Sequence, residues 1–353
     1  MRTIKYLVCA ILFLAAHARA DEPLTLKNYQ APADNKKDEP LAKQFSLAKA
    51  TNFLDAAALH WTDKNTCFSC HSNFAYLYAR PLVTAKVQAH DEVRKALEEM
   101  VSVRWKEKGP RWDAEVVASA AALAFNDAHT TGKLHPLTKM TLDRMWTVQK
   151  KDGGFSWLKC AWPPMENDDH YGVTLAALAV GVAPENYAKS EAAQKGLAQI
   201  RNWLKSNPPQ NRHHDAMILW VATYLDGFLT KKEKQDTIDD ILENQAADGG
   251  WVSASLGHWK RHASEKTRQD YKSSDGYATG FMIYVLRRAG VPAADPAIQK
   301  GVAWLKSNQR ASGRWFTRSL FKDNKHYLSH AGTAFAVMAL AECGELKKTT
   351  GAE

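Results

Sequence analysis

The sequence predicts an all-α protein: a single α/α toroid of about six helical hairpins, an α6/α6 barrel, over residues 45–347. Three observations carry this. A turn signature occurs three times, as Gln149-Lys150-Lys151-Asp152-Gly153-Gly154-Phe155, Gln245-Ala246-Ala247-Asp248-Gly249-Gly250-Trp251 and Gln309-Arg310-Ala311-Ser312-Gly313-Arg314-Trp315. Its glycines allow the φ > 0 backbone that stops a helix, its glutamine can bond free backbone groups at a neighbouring helix end, and its aromatic covers the turn. Six segments rich in small apolar residues follow such turns, at 73–83, 114–125, 171–182, 216–229, 277–288 and 331–343. They are apolar nearly all round, as buried inner helices are, whereas the stretches between them are amphipathic.

Taken in order, residues 1–20 read as a cleaved export signal. Arg2 and Lys5 precede the apolar run 6–16, and Ala18-Arg19-Ala20 is a small-residue cleavage site. That run is too short to be a permanent membrane anchor, and no later stretch reaches the ~20 apolar residues of a transmembrane helix. The expected location is therefore periplasmic or secreted, with no transmembrane anchor. Residues 21–44 are charged and proline-bearing without apolar periodicity, and read as a flexible linker or arm.

The toroid follows at 45–347. Residues 53–67 lead into its first inner helix, and 101–112 close a second outer helix in a Gly-Pro turn. Asn202-Trp203-Leu204-Lys205-Ser206-Asn207 restates Ala303-Trp304-Leu305-Lys306-Ser307-Asn308, with Pro208 where Gln309 stands. Residues 348–353 are a tail.

Composition bounds the function classes. The 353 residues are 45% hydrophobic and 24% charged, an ordinary globular balance. The formal charge of +9 falls to +6 when Arg2, Lys5 and Arg19 leave with the signal, which contains no acid. So mild a balance, without a long basic run, excludes a nucleic-acid partner.

Lys300-Gly301, Trp304-Leu305, Gln309, Gly313 and Trp315 fit the QW repeat of squalene and hopene cyclases, and both QxxDGG copies agree. The chain thus resembles the terpenoid-cyclase and prenyltransferase-repeat superfamily. The resemblance implies the toroid fold, and function has to be argued from the sites placed on it. Squalene cyclases carry two such helical domains, and this chain has room for one.

In a ring of hairpins the inner helices all run the same way, so their N-termini meet at one mouth. There the sequence places His71, Asp113, Asp168-Asp169-His170, His213-His214-Asp215, Asp275 and His330. Aspartate is a favoured helix N-cap, but histidine is not, and a neutral imidazole there is poised as a ligand or base.

The sharpest motif is Cys67-Phe68-Ser69-Cys70-His71. CxxCH is the attachment sequence of haem c: two thiols on one helical turn bond the haem vinyl groups and the histidine ligates iron. A disulfide or redox pair, and zinc held by Cys67, Cys70 and His71, are the other readings. A second axial ligand is expected from the same mouth, with Met165, His170, His213, His214 and His330 as candidates.

The rival chemistry uses carboxylates. Glu166-Asn167-Asp168-Asp169 resembles the DxDD motif of squalene-type cyclases with Glu166 in place of the first Asp, which implies Asp168 as a general acid that protonates an isoprenoid double bond. Asp275, Tyr277 and His330 stand where protein prenyltransferases hold zinc with Asp, Cys and His, but a tyrosine is a poor zinc ligand.

The primary expectation is an exported toroid with covalent haem c at its mouth, for electron transfer with a periplasmic redox partner or haem-assisted oxidation of a small apolar or polycyclic ligand in the toroid cavity. The alternatives are a cyclase-like isomerase using Asp168 and a lipid- or glycan-binding module. Cys160 and Cys343 are available to pair.

Overall fold

The computed structural model describes residues 22–83, 87–160 and 162–346; the signal at 1–20 and the tail at 348–353 lie outside the described residues. The described residues form an all-helical toroid. Six inner helices, α2 (Asn73–Ala79), α5 (Asp113–Thr130), α7 (Asp169–Val182), α9 (Arg212–Val221), α11 (Gly276–Arg288) and α13 (Leu328–Glu342), pack each on the next, and α13 returns to α2 to close the ring. Outside them lie α1 (Leu47–Lys64), α3 (Gln88–Glu99), which continues through a π-turn into α4 (Trp105–Lys108), then α6 (Pro136–Thr147), α8 (Glu191–Ser206), α10 (Lys231–Glu243) and α12 (Pro296–Asn308). Among the described residues no helix is long and apolar enough to cross a membrane.

The turn signature fixes neighbouring hairpins to one another. Gln149 Nε2 donates to the carbonyls of Gly153 and of Gly196 in α8, and Gln245 Nε2 donates to those of Gly249 and of Ala297 in α12. Gln309 closes the circle: Nε2 donates to the Ser46 and Gly313 carbonyls while Oε1 accepts the Ser46 N–H at the start of α1. Gly313 has φ +98, and a Cβ there would stand 2.2 Å from the Lys49 carbonyl oxygen, so this last turn admits only glycine.

The axis of the ring is packed. Tyr78, Phe125, Trp220, Phe281 and Phe335, from five inner helices, form a chain of rings with successive centroids 4.9, 5.3, 6.0 and 5.2 Å apart. All five are buried.

Two expectations change. The helix expected over 216–229 begins at Arg212 and stops at Val221, where the Thr223 hydroxyl takes the Trp220 carbonyl and Gly227 turns with φ +77. The segment expected as a flexible linker is, over residues 33–41, a strap bound to the last turn. Arg314, 2% exposed, donates to the Ala33 and Asp34 carbonyls, to Asn35 Oδ1 and to Glu39 Oε2. Leu41 bridges Arg310.

Candidate functional site at the toroid mouth

Contacts around the ring place the inner-helix N-termini at one end. Asp168 of α7 meets His214 of α9, His213 of α9 meets Tyr277 of α11, and His330 of α13 meets Ser72 beside α2. His71 in turn faces Glu166 of the loop before α7. The mouth residues divide into two groups.

The first surrounds the CxxCH motif. Cys67 and Cys70 lie on an irregular loop rather than a helical turn, because Asn73 Oδ1 accepts the Ser69 N–H at 2.9 Å and Ser69 Oγ accepts the His71 N–H at 3.1 Å, delaying α2 to residue 73. Both thiols are unpaired. Cys70 is buried, and that burial, with the Glu166 charge, pushes its thiol pKa well up. His71, 4% exposed, turns Nδ1 toward Glu166 Oε1 at 3.5 Å and its ring edge toward Trp162. Trp162 stacks on Tyr327, which meets His330 and Trp61, and the Trp61 indole N–H donates to the Cys67 carbonyl at 2.9 Å.

His330 is fixed at both nitrogens. Asn35 Nδ2 approaches Nε2 at 3.4 Å and can only donate, so Nδ1 carries the proton and donates it to Ser72 Oγ at 2.8 Å. His330 and His60 line a recess of about 520 Å³ between the strap and residues 323–330.

The second group is a histidine stack. The Gln210 N–H donates to His214 Nδ1 at 3.3 Å, so Nε2 bears the proton directed at Asp168 Oδ2, 3.1 Å away. Burial alone would raise the Asp168 carboxyl, but the hydrogen bond and charge of His214, with bonds from Asn167 and the Tyr171 N–H, outweigh it and hold the carboxyl well below the ordinary carboxylate range. His170 lies against His214 with neither ring nitrogen partnered among the described residues, and burial pushes its pKa down to about 3. His213 Nε2 meets the Tyr277 hydroxyl at 2.9 Å, and burial likewise lowers it to about 3.

The carboxylates expected to act together are dispersed. Asp168 caps α7 and faces His214, whereas Asp169 accepts the Trp157 N–H and faces Lys150 and Lys159, and Glu166 turns to His71. An anionic Asp168 is the opposite of what a proton donor needs. Met165 is buried beneath Trp157, whose indole donates to its carbonyl at 2.6 Å. Asp275 caps α11 through the Tyr277 and Ala278 N–H groups. Asp113 and Asp215 cap nothing: they lie inside α5 and α9, and Asn211 is the cap of α9.

Among the described residues no group of three His, Cys, Asp or Glu side chains is arranged to hold a metal ion. Cys343 ends α13 at the face opposite the mouth where Cys160 lies, so these two do not pair. Sequence reading missed Ser72, Trp162 and Asn35, whose partners are long-range and leave no local pattern.

No protein-family model matches the chain, and no curated protein is similar to it in sequence. Solved structures similar to it include glycosidases and terpene cyclases. A glycosidase in complex with glucose is 10% identical over 85% of this chain and 97% of that one, with a TM-score of 0.56. The ent-copalyl diphosphate synthase from Streptomyces platensis is 16% identical, with a TM-score of 0.49, over 77% of this chain and 50% of the synthase, so the chain spans half that enzyme's length. The apo type II terpene cyclase MstE from Scytonema is 12% identical over 84% and 99%, with a TM-score of 0.49. At such identities the likeness is one of fold alone, and the fold is the all-α toroid.

Proposed function

We propose that the protein is an exported haem c protein of electron transfer, in which Cys67 and Cys70 would attach the haem and His71 and His330 would ligate its iron. One observation supports the reading: His330 holds Nδ1 on Ser72 and His71 turns Nδ1 toward Glu166, so Nε2 is the nitrogen each would offer to iron, the Asn35 amide 3.4 Å from His330 Nε2 giving way to the metal. A histidine that ligates metal commonly spends its other ring nitrogen in this way, which fixes the ring and raises its basicity.

The donor set suits the group. Two unpaired thiols three residues apart sit beside a buried imidazole, and a 520 Å³ recess lies next to His330. Of the candidates for the second ligand, His330 is hydrogen-bonded to Ser72, the residue after His71, whereas His214 is spent on Asp168 and His213 faces Tyr277. Bound haem supplies one-electron redox chemistry. The chain's part is to hold both imidazoles, to cover the group with Trp162 and Tyr327, and to present its edge to a redox partner at the strap. With both imidazoles held for iron, a bound haem would have no open position for a substrate, which favours electron transfer over oxidation of a ligand in the ring.

The test is the visible and electron paramagnetic resonance spectrum of protein matured in a host with haem c assembly machinery. The wild type gives a low-spin, six-coordinate signature, and His330→Ala gives a high-spin one with the haem still attached. Attached haem that is already high-spin in the wild type would refute His330 as ligand.

A further inference from the structure

A second recess, independent of the haem reading, lies where the strap, the insertion after the second turn signature and the last turn meet. It holds about 100 Å³ and is walled by Lys37, Asp270, Asp275, Arg310, Phe316 and Arg318, among others. The hydrogen bonds of its polar groups can be followed one by one. Asp275 accepts from the Ser253 N–H and hydroxyl and from the α11 N–H groups, and Asp270 accepts the Lys272 and Ser273 N–H groups. Arg318 is forked onto Asp323 and also reaches Thr267 and the Arg268 carbonyl. Gln269 donates to the Trp259 and Leu320 carbonyls, and the Trp304 indole donates to Asp248.

Arg310 is the exception. Its Nη1 donates to the Glu39 carbonyl at 2.8 Å, but Nε is buried with no partner, and among the described residues no carboxylate lies within ion-pair distance. The Glu39 carboxylate is already taken by Arg314 and the Ser312 N–H. The guanidinium lies over the Phe316 ring at 5.9 Å, which holds its plane. Lys37 stands at the rim, exposed and in a long ion pair with Asp270 at 4.0 Å, and is free to swing to an incoming anion.

A half-buried guanidinium with an unpartnered Nε and no counter-charge is unfavourably placed, and its planar fork matches the two oxygens of a carboxylate or phosphate. We propose that this recess binds a small oxyanion, a carboxylate or a phosphate group, on Arg310 with Lys37 at its entrance. The volume excludes anything much larger than the head group, so any remainder of the ligand leaves past Lys37 and the strap.

Isothermal titration calorimetry of the full mature chain with acetate and with inorganic phosphate tests this. Saturable 1:1 binding of one probe is expected, weakened at least 10-fold in Arg310→Gln and several-fold by raising sodium chloride from 20 to 200 mM. Acetate binding alone assigns a carboxylate, and phosphate binding alone assigns a phosphate. Should Arg310→Gln fail to fold, Arg310→Lys keeps the charge and loses the fork, and a loss of about fivefold or more is expected. No saturable heat with either probe, or equal affinity in a folded Arg310 variant, overturns the site.

Discussion

The imidazole rings of His170 and His214 lie face to face, 4.0 Å between centroids and 4° from parallel. Their electrostatic situations are opposite. His214 is held between the Gln210 N–H and the Asp168 carboxylate, while His170 is buried without a partner at either nitrogen among the described residues. The stack is therefore an acid-sensitive element of the fold.

His170 and His213 have folded pKa values near 3 against an ordinary 6.5. Between those values the unfolded chain binds more protons, so the stability they allow is present above about pH 6.5 and is lost as pH falls, by about 1.4 kcal/mol per pH unit for each. Urea midpoints should fall between pH 7 and pH 4.5, and His170→Phe should make the fall shallower while changing neutral stability by less than about 1 kcal/mol. An unchanged slope in His170→Phe would contradict this.

Asp168 has a depressed folded pKa, so its contribution is present above the ordinary aspartate value and is lost as pH falls through the folded value. Asp168→Asn retains the helix cap but replaces the carboxylate that accepts the His214 hydrogen bond with a neutral amide, a cost of about 1–2 kcal/mol at pH 7 by denaturant titration. The wild type should leave a squalene-like polyene unchanged. A cyclised product that disappears in Asp168→Asn would restore the general-acid role.

Arg314→Met removes a buried guanidinium and strands Glu39, itself 13% exposed at the side chain. Losing one partner of such a pair costs about 3–5 kcal/mol. Hydrogen exchange should also accelerate across residues 33–41, whose carbonyls Arg314 holds. Protection of the strap unchanged in a folded variant would show that Arg314 does not fasten it.

Gly280 is where α11 and α13 approach most intimately: a Cβ there would stand 2.5 Å from the Ala336 backbone nitrogen. Gly280→Ala forces two inner helices apart and should cost about 1–3 kcal/mol, lowering the melting temperature. A neutral effect would mean that the ring closes more loosely than these distances indicate.

The toroid was legible because its signals are local. A glutamine, two glycines and an aromatic at fixed spacing specify a turn wherever they occur, and five of the six inner helices fall close to where their apolar runs place them. The early stop of α9 was not legible, since Thr223 bonding back to Trp220 reads like any helical threonine. Nor was the strap, because Arg314 finds its partners some 280 residues away. At the mouth, the sequence brings these histidines and aspartates to one end but does not give their pairing. Asp168 meets His214 of the neighbouring α9 while Asp169 turns to Lys150 and Lys159, a division made by helix packing.

The central claim is tested most directly by intact-protein mass spectrometry, under denaturing conditions, of the chain matured in a host that assembles haem c. One haem mass is expected on the wild type, retained through denaturation, and none on Cys67→Ala/Cys70→Ala. A folded, exported wild-type chain carrying no added mass would contradict it.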